Sequence, residues 1–440
     1  MIPKHIKSLG YILAACLIAA AASQTPEARL ARPTPEQAAW QDCEIGMFIH
    51  LSTNTWDPEY GRTKRYIDIP AARINPERLD TDQWADAALD MGAKYVVLGA
   101  KHVIGFCWWQ TDTTDYSVGS SPWRGGKGDV LADLAASCRR RGLKMGVYVS
   151  PADKHFGAET AGKCETAEKQ EQYNRLFRRQ LTEVLSRYGE MSEVWFDGSV
   201  VVPVGDILQQ HAPEAMIFQG PHATIRWVGN EQGICPYPAW NAVSKRAADT
   251  GEATAADSDP NGDVWLPNEV DTFLTDDWFW HAERTLRSLE ELLDVYYASV
   301  GHGAVLLLNQ APDRSGLIPP EEIARGKEFG NEVRRRFATP LAETAGAGTD
   351  LEIAMEKPAR IDHVVIREDI LQGERVREYV VEGLVDANWR QLSAGTAVGS
   401  KKIDRFRPIE VTRVRLRITQ SADEPQIRKL AVYRTVAEDE

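Results

Sequence analysis

The stretch Glu193-Val194-Trp195-Phe196-Asp197-Gly198 places a carboxylate at the tip of an apolar, aromatic run. An apolar strand needs no charge at its end, and in a parallel α/β protein that end is where chemistry usually sits. A carboxylate beside two aromatic residues is shielded from water yet open to a cleft, which suits a nucleophile or a general base. An Asp that merely caps the next turn fits the same residues. Other polar side chains close further apolar runs: His50, His102, Tyr148, Gln219 and Asn309. If these runs are strands of one closed parallel sheet, all six groups converge on a single mouth. Glu231, in Asn230-Glu231-Gln232-Gly233, has a turn-like setting that can carry a second carboxylate over that mouth. A solvated loop carboxylate is the plainer reading of it.

The elements that must hold these groups alternate along the chain. Strand-like runs lie at 46–49, 95–98, 144–151, 194–196, 214–219 and 304–309. Helical spacing covers 75–91, 129–141, 168–188, 280–300 and 321–337; Asp80 or Thr81 reads as the N-cap of the first and Gly92 as its stop. Continuously apolar strands in this rhythm mark a parallel sheet covered on both faces. Its length predicts an α/β fold, a (β/α)8-type (TIM-like) barrel over 36–340. No GxGxxG or Walker pattern follows any strand, which excludes the nucleotide-binding alternatives. Residues 220–278 lack periodicity, and so long a loop is usually functional or mobile. From about Ala342 the period changes to two, as in Val411-Thr412-Arg413-Val414-Arg415-Leu416. This predicts a C-terminal antiparallel β-sandwich over 342–436 that buttresses the barrel.

The net charge of −13 argues against nucleic acid or an acidic polymer as partner. The 13 Trp offer flat faces that suit sugar rings, although packing accounts for most of them. None of the 6 Cys forms a CxxC pair, and no metal or cofactor is expected. Residues 1–23 read as a signal peptide: Lys4 and Lys7, then an apolar core, then small residues. The core is too short to anchor in a bilayer, so an exported protein, periplasmic or secreted, is expected. Leu13-Ala14-Ala15-Cys16 is a lipoprotein-like box; membrane attachment follows only if Cys16 is lipidated.

Several long segments, in order, resemble glycoside hydrolase family 29, the α-L-fucosidases, from about Trp40 to the end of the chain. They are GMFIHLSTNTW, GAKYVVLGAKHVIGFCWWQTDTTDYSV, GLKMGVYVSPAD, YGEMSEVWFDGS and SVGHGAVLLLNQAPDRSGLIP. The resemblance implies an exo-acting retaining hydrolase that removes α-L-fucose from an oligosaccharide or glycoconjugate by double displacement, without cofactor or nucleotide. It implies Asp197 as nucleophile, Trp195 as a wall, and His50, His102 and Tyr148 as sugar contacts. Glu59-Tyr60 stands where an acidic–aromatic pair is expected, and Trp278 lies in the family-like LPNEVDTFLTDDWFWH. RWVGNEQG is similar to the segment that supplies the acid/base in the branch acting on α-1,3/1,4-linked fucose. That points to Glu231, with Glu269 as the alternative. Two departures stand out: Val103 replaces a second His, and Leu51-Ser52 replaces Trp-Gly. They bear on which sugar is recognised more than on the reaction type. A related exo-glycosidase for another sugar, or a carbohydrate-binding protein that has lost catalysis, are the competing readings.

Overall fold

Eight parallel strands make the first sheet: β1 (Ile45–Ile49), β2 (Tyr95–Lys101), β3 (Lys144–Val149), β4 (Glu193–Trp195), β5 (Met216–Phe218), β6 (Arg226–Trp227), β7 (Asn268–Phe273) and β8 (Val305–Asn309). The computed structural model describes residues 30–435, so the leader, Cys16 and residue 436 lie outside the described residues. Hydrogen bonding runs in the order β5-β4-β3-β2-β1-β8-β7-β6, and a parallel bridge between Phe218 and Ile225 spans the remaining gap. The sheet is therefore a nearly closed barrel. Strands β1, β2 and β8 are buried at every position because both of their faces are covered. Phe48, Val97, Tyr148, Trp195, Phe218 and Leu307 fill the interior. Met47, Ile49, Val96, Leu98 and Val147 face the helices.

The main helices are α1 (Thr81–Met91), α2 (Val130–Arg141), α3 (Ala167–Arg187), α4 (Gly205–His211), α5 (Leu289–Ala298) and α6 (Pro320–Phe337). Asp80 caps α1 by accepting from the backbone N–H groups of Asp82 and Gln83, and Gly92 stops it at φ 94°. Two expectations change. The helix expected over 280–300 begins only at Leu289, where Ser288 forms a capping box with Glu291. The aperiodic stretch 220–278 contains two barrel strands, β6 and β7. No helix separates β5 from β6; residues 219–225 make the crossing alone.

At the end of β2, Lys101 is fully buried. Its Nζ donates to Gln180 Oε1 at 2.9 Å, Asp153 Oδ2 at 3.1 Å and Tyr173 OH at 3.3 Å. The pair ties the strand end that precedes His102 to α3 and to the loop after β3. Lys101→Ala strands the Asp153 charge in the interior, at a cost of about 3–5 kcal/mol. Urea unfolding of wild type and variant measures it; an unchanged midpoint would rule out this anchoring role.

The C-terminal module is one antiparallel sheet of six strands: β9 (Ala342–Ala347), β10 (Asp350–Glu368), β11 (Val376–Val385), β12 (Asn388–Gly395), β13 (Lys402–Ser421) and β14 (Gln426–Tyr433). Their order is β9-β14-β10-β13-β11-β12. The long strands β10 and β13 pair with register shifts at Ala354/Ala359 and Ile361/His363. Such bulges bend strands, which lets one continuous sheet enclose its own core of Leu351, Val364, Tyr379, Leu416 and Leu430. Polar clamps join the module to the barrel. Lys401 Nζ donates to Glu44 Oε2 at 2.7 Å, Glu374 accepts from the Asn241 amide at 2.7 Å, and Tyr237 OH donates to the Ala397 carbonyl at 2.8 Å.

Candidate active site

The C-terminal ends of the barrel strands enclose a cavity of about 240 Å³. His50, His102, Tyr148, Trp195, Asp197, Glu231 and Trp278 all line it. So do Tyr66, Trp227 and Asp271, none of which the sequence reading had singled out, and Gln219, noted there only as a strand end.

Asp197 follows β4 in a strained turn. Gly198, Ser199 and Gln219 have φ of 69°, 75° and 61°, a region costly for the two residues that bear a Cβ. Gly198 N–H donates to Gln219 Oε1 at 2.8 Å, which pins the turn to the end of β5. The carboxylate of Asp197 accepts from Tyr148 OH at 3.0 Å rather than capping the backbone that follows. The Asp197 side chain is exposed on the cavity side, while the surrounding strand ends keep part of the water away from it. That partial loss of water pushes its carboxyl above the usual range, and the Tyr148 hydrogen bond opposes the push.

Both cavity histidines are neutral. Burial lowers His50 to about 4, and burial together with His50 lowers His102 well below its ordinary value. Asn309 Nδ2 donates to the Trp278 carbonyl at 2.9 Å, so its Oδ1 accepts from His50 Nδ1 at 2.8 Å. His50 Nε2 is then an acceptor for a hydroxyl. The His102 ring is stacked between Tyr66 and Tyr148, with centroids 5.5 Å and 5.4 Å away. Its Nδ1 is buried and has no partner among the described residues. Trp195 stacks on Phe218 at 3.5 Å with the planes 6° apart, giving the cavity a flat apolar side.

Glu231 is exposed at the rim. Thr272 Oγ1 on β7 donates to its carbonyl at 2.7 Å, and Asn230 Nδ2 donates to the Ile234 carbonyl at 2.8 Å, so the loop is fixed from below and from within. Asp271 is buried on β7 and accepts from Trp227 Nε1 at 2.6 Å. Burial and the neighbouring Glu269 push its carboxyl well above the usual range.

Three of the expected residues lie elsewhere. Glu59 is exposed and pairs with Arg62. Tyr60 is buried behind Tyr66 and donates to Asp277 Oδ1 at 3.1 Å. Glu269 does not line the cavity; it is sealed in the barrel below the floor, where it accepts from Trp195 Nε1 at 2.8 Å and Tyr95 OH at 3.0 Å. Val103 does not line the cavity either, and the wall beside His102 is supplied by Tyr66. Tyr66 sits in an irregular loop with no period to mark it. Asp271 had a signal: Glu269, Asp271 and Phe273 are spaced by two, and the alternation turns Asp271 to the same face as Glu269.

Residues 53–335 match the model of the α-L-fucosidase family. The chain belongs to that family. Among its relatives, Alpha-L-fucosidase 1 of Arabidopsis thaliana is 32% identical over 452 residues, covering 91% of this chain and 87% of the plant protein. Among solved structures, a glycoside hydrolase 29 family member from an unknown rumen bacterium is 32% identical with a TM-score of 0.81, covering 93% of this chain and 78% of that one. A Ruminococcus gnavus GH29 fucosidase in complex with fucose is 26% identical with a TM-score of 0.80, over 93% of this chain and 96% of that one. The match to the α-L-fucosidase family spans most of the barrel, so it takes in every cavity-lining side chain except Phe48 and His50.

Proposed function

We propose that this chain is an exo-acting retaining α-L-fucosidase for α-1,3/1,4-linked fucose on oligosaccharides or glycoconjugates, working by double displacement. The observation that carries the reading is Asp197, held by Tyr148 inside an aromatic-walled cavity with Glu231 fixed at the rim. Asp197 attacks the anomeric carbon. Glu231 protonates the leaving oxygen on the open side, where an aglycone must lie, and then takes a proton from the incoming water. Neutral His50 accepts from a ring hydroxyl through Nε2, and the Trp195–Phe218 stack faces the methyl side of a 6-deoxy sugar. A cavity of about 240 Å³ is smaller than sites for drug-sized ligands and suits one monosaccharide unit. The pattern of residues 1–23 supports action after export.

The test is hydrolysis of an aryl α-L-fucoside followed by NMR of the first anomer released. α-L-Fucose is expected first, with slower release from an aryl galactoside. First release of the β-anomer overturns the retaining mechanism, and sugar binding without turnover favours the binding-protein reading. Release from α-1,3/1,4-fucosylated trisaccharides should outpace release from α-1,2-linked ones. Tyr66 is a hydroxyl-bearing wall that another family member need not share. Tyr66→Phe should weaken fucose about fivefold, the worth of one hydrogen bond of ~1 kcal/mol, by calorimetric titration. Unchanged affinity would remove its hydroxyl from the site.

A further inference from the structure

Beneath the cavity floor two carboxyl groups, each within hydrogen-bonding reach of the other and of the Trp195 indole, meet with no cation beside them. Glu193, at the start of β4, and Glu269, on β7, both have 0% exposure inside the barrel. Every hydrogen-bond donor around them is neutral. Trp40 Nε1 donates to Glu193 Oε2 at 3.0 Å, Tyr95 OH to Glu269 Oε1 at 3.0 Å, and Trp195 Nε1 to Glu269 Oε2 at 2.8 Å. Of the oxygens of the pair, Glu193 Oε1 alone is left without a donor among the described residues. Two dry carboxylates lacking a counter-charge do not both ionise; one proton between them removes a charge and satisfies the last oxygen.

Trp195 links this pair to the chemistry above it. Its indole is held by Glu269 on one edge, lies flat on Phe218 and lines the cavity, and Asp197 follows two residues later on the same chain. We propose that Glu193 and Glu269 share one proton beneath the floor and are positioning residues, which hold the Trp195 indole, and with it the turn bearing Asp197, in place against the sugar. The positioning half of this rests on the cavity being the fucoside-cleaving site; the shared proton does not.

Burial is the main cause that pushes Glu193 up to about 8 and Glu269 well above the carboxylate range. The titratable groups facing the pair are Tyr95 and Cys43 on the base side and Asp271 on the cavity side, each itself pushed upward by burial, so none supplies a positive charge. An unfolded Glu releases its proton near 4.5, whereas burial makes the folded pair hold a proton to higher pH. Over that window the native state binds more protons than the unfolded one, so the pair's contribution to stability falls as pH rises.

Two variants of the full chain test this. In Glu193→Gln the amide oxygen accepts from Trp40 and the amide N–H donates to Glu269, a fixed hydrogen in place of the shared proton. The melting temperature of wild type minus that of E193Q is expected to fall steadily between about pH 5 and 8. Glu193→Leu leaves the Glu269 charge alone. It is expected to lose about thirtyfold in kcat/KM on an aryl fucoside, with KM raised and tryptophan emission shifted, while E193Q stays within about threefold of wild type. A pH-independent difference in melting temperature overturns the shared proton. Wild-type kinetics in E193L overturns the positioning role; if E193L does not fold, E193Q losing as much as thirtyfold does so instead. If the wild type cleaves no fucoside, the functional reading fails, and the melting comparison still decides the pair.

Discussion

Asp197→Ala should fold at least as stably as wild type and turn over an activated aryl fucoside about a thousandfold more slowly or worse, ~4 kcal/mol in the barrier. The stability half follows from the raised carboxyl of Asp197: removing a carboxylate that the native surroundings disfavour costs the native state little. The rate half follows from its place at the strained tip after β4, where it is the carboxylate that Tyr148 holds toward the cavity. External azide should restore part of the rate by filling the space the side chain leaves. A variant within tenfold of wild type would take Asp197 out of the covalent step. The wild-type pH profile gives an independent reading. Its surroundings raise the Asp197 carboxyl above the ordinary value, so kcat/KM should decline on the acid side at a higher pH than a free Asp would give, and in the azide-rescued variant the acid limb should follow the ionisation of azide instead.

The second large effect separates Glu231 from Asp271. Both line the cavity, and Asp271 has the raised carboxyl that an acid needs, whereas Glu231 has the open position. Asp271 is buried and already accepts from Trp227, so it is poorly placed to meet a leaving oxygen on the open side. Glu231→Ala should therefore cost on the order of a hundredfold on an oligosaccharide, whose leaving group is poor, and little on an aryl fucoside. Asp271→Asn should slow both substrates alike. If Asp271→Asn shows the leaving-group dependence and Glu231→Ala does not, the proton comes from β7 and the rim loop has another task.

Much of this site was legible because apolar strands with polar tips are a strong signal. Asp197, His50, His102 and Tyr148 stand at such tips, and the barrel brings them to one cavity. Strand β7 was illegible for the opposite reason. Asn268, Glu269, Asp271 and Thr272 are polar residues at buried positions, satisfied by guanidinium, indole, phenol and backbone partners that no local pattern reveals. Strand β6 is only Arg226–Trp227, and its Arg226 is buried against Asn268 and the Trp240 carbonyl. With both strands hidden, 220–278 read as one long loop. Tyr66 entered through a contact far apart in sequence, its stack on His102. Glu59 and Tyr60 were placed by resemblance alone, and the local chain turns them to Arg62 and Asp277 instead.

Two of the clamps between the C-terminal sheet and the barrel reach the chain at Tyr237 and Asn241, within ten residues or so of Glu231 along the same segment. A domain with no side chain in the cavity thus bears on the stretch of chain that forms the cavity rim. Change in β11–β13, away from the cavity, is then one way to retune which glycans are trimmed. Swapping this sheet between relatives is accordingly a route to altered glycan preference that leaves the reacting groups untouched, and cutting it away to obtain a smaller catalyst is a poor one.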